Sequence, residues 1–256
     1  MIEDPTIVRW PTSTDYTQAV QRPEVAFTEP ALKSGVVALT PLGMPAVASG
    51  QNVVVFKMET STGQRAVRCF INPPGQGDQR YAALAQYVST HGCRALSGAT
   101  WIEQGVQAKS RWWPVVVMAW ESGRSLTAMA EDLLDRPDDL RLLARNWIEA
   151  VHELQEAGIA HGDLQHGNVL VNPDMSVRLV DLDGVWVPNQ TTGPPAENGH
   201  PNYQHPARAQ NDWGRQVDSF SALLIYVSLL ALAADPALER FMQVKPHPRA
   251  RRSTTT

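Results

Sequence analysis

Cysteine is scarce in this chain: Cys69 and Cys93 are the two among 256 residues. Two thiols cannot build a disulfide framework, so the small stapled folds of secreted domains are excluded and a reducing compartment is expected. Long apolar runs are lacking as well. The longest, Phe220 to Ala234, has 15 residues and is interrupted by Ser221 and Ser228. A bilayer-spanning helix needs roughly 20, so this run reads as a buried helix and no membrane partner is expected. Neither sign of charge dominates: 22 cations against 26 acids leave a net −4, which argues against a general nucleic-acid-binding surface. The start, MIEDPTIVRW, does not have the basic-then-apolar layout of a secretion signal, and the expected location is the cytoplasm. What is present is apolar material, 43% of the residues, enough for one large domain or two lobes.

No internal repeat is visible. Residues 1–34 are rich in Pro and Thr with scattered aromatics, Trp10, Tyr16 and Phe27, and read as an extended arm or irregular cap laid on a domain. From residue 35 the runs VVALTPLG, VVVFKME and RAVRCFI predict an antiparallel sheet, the last two joined by hairpin chemistry at Thr60-Ser61-Thr62-Gly63. The loop 72–77 leads into a predicted helix with Tyr81, Leu84, Ala85 and Val88 at helical spacing, closed by Gly92. WWPVVVMAW at 112–120 predicts a buried strand, and the ESGR turn after it a connector. The second half is helical over 128–135, 138–158 and 219–234, with one small hairpin between NVLV at 168–171 and VRLVDLDG at 177–184. The expected class is α+β: an arm (1–34), a sheet-rich lobe (35–118), a hinge (119–123), a helix-rich lobe (124–240) and a basic tail (241–256).

The stretch IAHGDLQHGNVLV followed by VRLVDLDG places Asp163, Asn168, Asp181 and Asp183 at the ends of short apolar strands. Phosphoryl transfer needs one carboxylate to orient the attacking hydroxyl, and a separate Asn and Asp to hold the metal that neutralises the phosphates. Asn168 lies five residues after Asp163 and thirteen before Asp181, spacings that resemble those of the catalytic and metal-binding loops of protein-kinase-like enzymes. HGDLQHGN with DLDG resembles the His-Arg-Asp…Asn and Asp-Phe-Gly loops of protein kinases. GHPNYQHP (199–206) is similar to the segment that closes a kinase activation loop, and DSFSALLIYVSLLAL (218–232) to the buried central helix of the kinase C-lobe.

The resemblance covers about residues 35–234 and is strongest to bacterial serine/threonine kinase-like proteins. It implies a bilobal fold, ATP and Mg²⁺ as cofactors, Asp163 as catalytic base, and Asn168 and Asp181 as metal ligands. Gly50, Val55, Ala66, Met118 (the gatekeeper-like residue), Ala119 and Glu121 would border the nucleotide, and Asp218 would anchor the backbone of the catalytic loop. Arg68 stands where the phosphate-gripping lysine is usual, and it keeps the charge but with a longer planar fork. The helix that should supply its glutamate has none, Gln86 being the nearest substitute, and Lys57, the displaced alternative to Arg68, sits where ordinary kinases carry an outward-facing lysine. Of the glycine-rich loop, Ala48-Ser49-Gly50-Gln51-Asn52-Val53 keeps only the middle glycine. Asp183 replaces a glycine and either faces the metal or points to solvent. Gly162 replaces the arginine that reads activation-loop phosphorylation, and Ala207 the glutamate that closes the lobe with an ion pair.

The expected function is therefore an ATP- and Mg-dependent protein serine/threonine kinase, with a pseudokinase serving as nucleotide-binding or interaction module as the alternative and a small-molecule phosphotransferase third. About twenty residues follow the central helix, fewer than kinases carry there, so a partner, self-association or the arm is expected to cover it. In the tail, Ser253 to Thr256 beside Arg251 and Arg252 form a self-phosphorylation candidate. His161, His166, His200 and His205 lack the spacing of a zinc site.

Overall fold

Alternation along one strand separates two cores. Val54, Phe56 and Met58 pack into one and Val53 and Val55 into the other, because successive side chains of a strand point to opposite faces. The computed structural model describes residues 9–50, 52–75, 77–188, 199–209 and 212–239. The first eight residues of the arm, Gln51 of the glycine loop and the basic tail lie outside the described residues.

Three short helices, α1 (Ser13–Ala19), α2 (Pro23–Ala26) and α3 (Pro30–Lys33), precede strands β1 (Val36–Val37), β2 (Val47–Ser49), β3 (Val53–Thr60) and β4 (Gly63–Phe70). Helix α4 (Gly77–His91), strands β5 (Ala99–Ala108), β6 (Arg111–Ala119) and β7 (Arg124–Ser125), and helices α5 (Leu126–Asp132) and α6 (Pro137–Glu156) follow. Strands β8 (Val169–Val171) and β9 (Val177–Leu179) and helix α7 (Ser219–Ala234) complete the strands and α-helices among the described residues. The chain is α+β. Its main sheet is antiparallel in the order β1-β3-β4-β6-β5, with β2 also on β3, and a second sheet runs β7-β8-β9.

The β3–β4 hairpin turns through Ser61 and Thr62, with Thr60 opposite Gly63. VVALTPLG gives only a two-residue strand, after which the chain loops out through Gly43 (φ 77°) and returns as β2. Strand β5 was not expected from the sequence. Its apolar alternation is broken by a register shift between Ile102 and Val106, where a Cβ on Gly105 would lie 2.3 Å from a Val115 methyl.

The arm departs from expectation: it is a cap, as read, but a helical one. Thr12 and Asp15 form a reciprocal capping box at the start of α1, and Pro23 and Pro30 open α2 and α3. Tyr16, Val20, Phe27 and Leu32 are buried against Val54, Phe56, Met58, Val67 and Val115 on the outer sheet face. The Tyr16 hydroxyl donates to the Phe70 carbonyl at 2.9 Å, which keeps that buried polar group paired. Each such apolar side chain contributes roughly 1.5–3 kcal/mol on burial.

The inner face joins the larger core. Val53, Phe70, Val116 and Met118 continue into Leu140, Leu143, Trp147 and Leu154 of α6 and Ile225 and Leu229 of α7. The Trp147 indole N–H donates to the Ala222 carbonyl at 2.9 Å and pins α6 to α7. On its opposite side α7 leaves Leu223, Val227 and Leu230 exposed, one stripe at helical spacing.

Candidate functional site

The loop between α6 and β8 carries Asp163, and three contacts fix it. Its Oδ1 accepts the backbone N–H of His200 at 2.7 Å. Its Oδ2 accepts the side-chain amides of Asn168 at 2.8 Å and Gln165 at 3.0 Å. A carboxylate offers about four acceptor positions, so among the described residues one, on Oδ1, remains unfilled. The carboxylate is buried beneath Gly199 and His200, and a Cβ on Gly199 (φ 71°) would lie 3.0 Å from Oδ1.

The backbone under Asp163 is held by Asp218, the residue immediately before α7. Its carboxylate accepts the N–H of His161 at 2.5 Å and of Gly162 at 2.9 Å, the anchoring that was expected of it. Burial raises the Asp218 carboxyl above the ordinary carboxylate range, against the pull of His161 and of the two N–H groups. Gly162 cannot be replaced here. Its φ is +82°, and a Cβ would lie 2.3 Å from the Gly184 carbonyl oxygen. No arginine fits the position, which gives the physical reason for its absence.

The Asp181–Gly184 loop is sewn to the Asp163 loop. Val180 N–H donates to Asn168 O at 3.0 Å, and Ala160 and Trp186 exchange backbone hydrogen bonds at 2.8 and 3.1 Å. Asp181 has φ 64°, a left-handed conformation that Asp adopts more readily than most residues. Strand β4 then delivers Arg68 to both acids of the loop. One guanidinium nitrogen lies 2.9 Å from Asp181 Oδ1 and 2.8 Å from Asp183 Oδ2, while the other donates to the Tyr81 hydroxyl at 3.0 Å. Tyr81 in turn donates to Asp183 Oδ1 at 2.5 Å. Burial works to lower the Arg68 pKa, but Tyr81, Asp183 and Asp181 outweigh it and raise it. Burial also keeps Tyr81 protonated, raising it well above the usual tyrosine value. Arg68 is 4% exposed and its Nε has no partner among the described residues.

Two expectations change here. Gln86 is exposed on α4, and the helix residue on Arg68 is Tyr81, whose helical spacing had marked it only as a core position. Asp183 does not point to solvent, because Arg68 and Tyr81 each hold one of its oxygens. Lys57 has its ammonium over the Trp120 ring and 3.7 Å from Glu59.

Four of the residues read as nucleotide-bordering, Val55, Ala66, Met118 and Ala119, lie on the same sheet. Val55 faces Arg68 across β3 and β4, Ala66 faces Met118 across β4 and β6, and Ala119 faces Arg65. Val55 and Ala66 are partly buried against the inner core and Met118 is buried within it. Gly50, at the tip of the β2–β3 hairpin, donates its N–H to Val53 O at 2.9 Å. Glu121 is held through its side chain by Ser97 and lies 3.9 Å from Arg178.

Asp181 and Asn168 are oxygen donors of the kind a hard cation takes. Asn168 spends its NH₂ group on Asp163, which turns its amide oxygen away from that contact. Among the described residues no group of three His, Cys, Asp or Glu can hold a metal by itself. No family model and no curated protein matches the chain.

Proposed function

We propose that this chain is a bilobal protein-kinase-like phosphotransferase, with ATP and Mg²⁺ as cofactors and a serine or threonine hydroxyl of a protein as acceptor. Residues 35–118 form its sheet-rich lobe, 119–123 its hinge and 124–240 its helix-rich lobe. The observation that supports this reading best is the construction around Asp163. Asp218 is buried to hold two backbone N–H groups, and Asn168 is turned to hold the carboxylate. Buried polar groups are costly unless fully paired, and a scaffold with no chemistry has no need of this set.

In the proposed reaction Asp163 takes the acceptor hydroxyl on Oδ1, at the position that no described residue fills, and orients it. Asn168 and Asp181 hold the cation, which neutralises phosphate charge when bound. Arg68 supplies the fixed positive charge beside them. The apolar stripe on α7 supports a protein contact at that face, and the two cysteines, both free, support a cytoplasmic location. Asp163→Asn is expected to lower transfer by about 10²–10⁴-fold, the usual weight of a positioned general base, with nucleotide affinity unchanged. Unaltered transfer would remove Asp163 from the chemistry.

One observation favours a second reading, a pseudokinase that acts as an interaction module. Arg68 is already neutralised by Asp181 and Asp183, so phosphates must compete with two carboxylates for it. In that case Asp163→Asn changes neither nucleotide binding nor any transfer, and the wild-type chain shows no transfer at all.

A further inference from the structure

Helix α4 reaches the site through two consecutive side chains. Arg80 donates to the Asp183 carbonyl at 2.8 Å, and Tyr81 closes a ring with Arg68 and Asp183. In that ring Arg68 gives one nitrogen to Asp183 Oδ2 and the other to Tyr81, whose hydroxyl returns to Asp183 Oδ1. Each member makes two of the three hydrogen bonds of the ring, so a shift of any one breaks two. Tyr81 is also fixed sideways: its ring stacks on Trp101 at 6.2 Å between centroids. The hydroxyl is therefore placed by packing, independently of the ring of hydrogen bonds it completes.

We propose that Tyr81 is a positioning residue which, acting through Arg68 and Asp183, ties helix α4 to the Asp181–Gly184 loop, the task a helix-borne carboxylate would otherwise perform. The inference rests on the reading of Arg68 as the phosphate-facing cation, but the restraint on the loop exists without nucleotide. Phosphate that draws Arg68 away from Asp183 loosens Tyr81 as well, so helix, strand and loop respond together.

The test is backbone hydrogen exchange of the full-length chain without nucleotide, comparing wild type with Tyr81→Phe. Phe keeps the ring packing and removes only the hydroxyl. Exchange at Val185 and Trp186 is expected to rise about tenfold, the worth of a buried hydrogen bond to a charged group, while the buried turns of α6 stay unchanged. Asp183→Asn breaks the same ring from the loop side, and the double variant is expected to exchange no faster than the faster single one. Unchanged loop exchange in Tyr81→Phe, a rise spread evenly over α6, or additive effects in the double variant would overturn the proposal. A titration of each variant with ATP and Mg²⁺ separates the two claims. If wild type binds nucleotide, Tyr81→Phe is expected to weaken it several-fold. If wild type binds none, the phosphotransferase reading fails and the exchange data alone decide the role of Tyr81.

Discussion

Asp218 Oδ1 accepts the backbone N–H of Gly162 at 2.9 Å across 56 residues of sequence, so the first residue before α7 fixes the loop that carries Asp163. Asp218→Ala leaves two buried N–H groups unpaired, at about 1–3 kcal/mol each. Urea unfolding is expected to show that loss together with abolished transfer. A change below about 1 kcal/mol would show that the clamp does not hold the loop.

Arg68 is the one cation shared by Asp181 and Asp183 among the described ion pairs. Arg68→Met removes it and leaves both acids facing a buried, uncharged side chain. The expected cost is about 3 kcal/mol, the low end for a broken buried pair because Asp181 is partly open to water. Arg68→Lys keeps the charge but loses the fork, and is expected to cost less than Met while still weakening the Tyr81 contact. Equal stability of all three forms, measured by urea unfolding, would contradict the described network.

Much of this was legible in the residues. The Thr60–Gly63 hairpin, helix α6 with its 3.6-residue stripe, helix α7 and the β8–β9 hairpin all follow from periodicity and turn chemistry, because each is a local pattern. Strand β5 was hidden because Glu103, Gln104 and Gly105 interrupt its alternation at a bulge. The helical arm was masked by its Pro and Thr content, although Thr12 with Asp15, and proline at the first helical position twice, are helix-start signals. The resemblance to kinase loops pointed to Asp163, Asn168 and Asp181 as candidates, but it could not find the Arg68–Tyr81–Asp183 ring. Tyr81 carries the same apolar periodicity as any core residue, and only the folded chain brings its hydroxyl to an arginine on the sheet.

His166 supplies a pH signature. Burial, then the neighbouring His200, lowers its pKa below the usual 6.5, and its Nδ1 lies 2.7 Å from the Tyr203 hydroxyl. A histidine whose folded pKa is depressed lends stability that is complete above its unfolded pKa and is lost as pH falls through the folded value. Thermal stability is therefore expected to decline as pH drops below 6.5, before the carboxylates titrate. His166→Gln, which keeps an acceptor for Tyr203 but cannot charge, is expected to flatten that slope. A parallel decline in both proteins would assign it to other groups.

Thermal unfolding with added ATP and Mg²⁺, run beside Asp181→Asn, tests the proposed nucleotide site most directly. At a hundred times its dissociation constant the ligand is expected to stabilise the wild-type chain by about 2.7 kcal/mol, with the shift dependent on Mg²⁺ and lost in Asp181→Asn. An unfolding temperature that does not move at millimolar nucleotide, or that moves equally in Asp181→Asn, would contradict the assignment of Asp181 and Asn168 to a metal-nucleotide site.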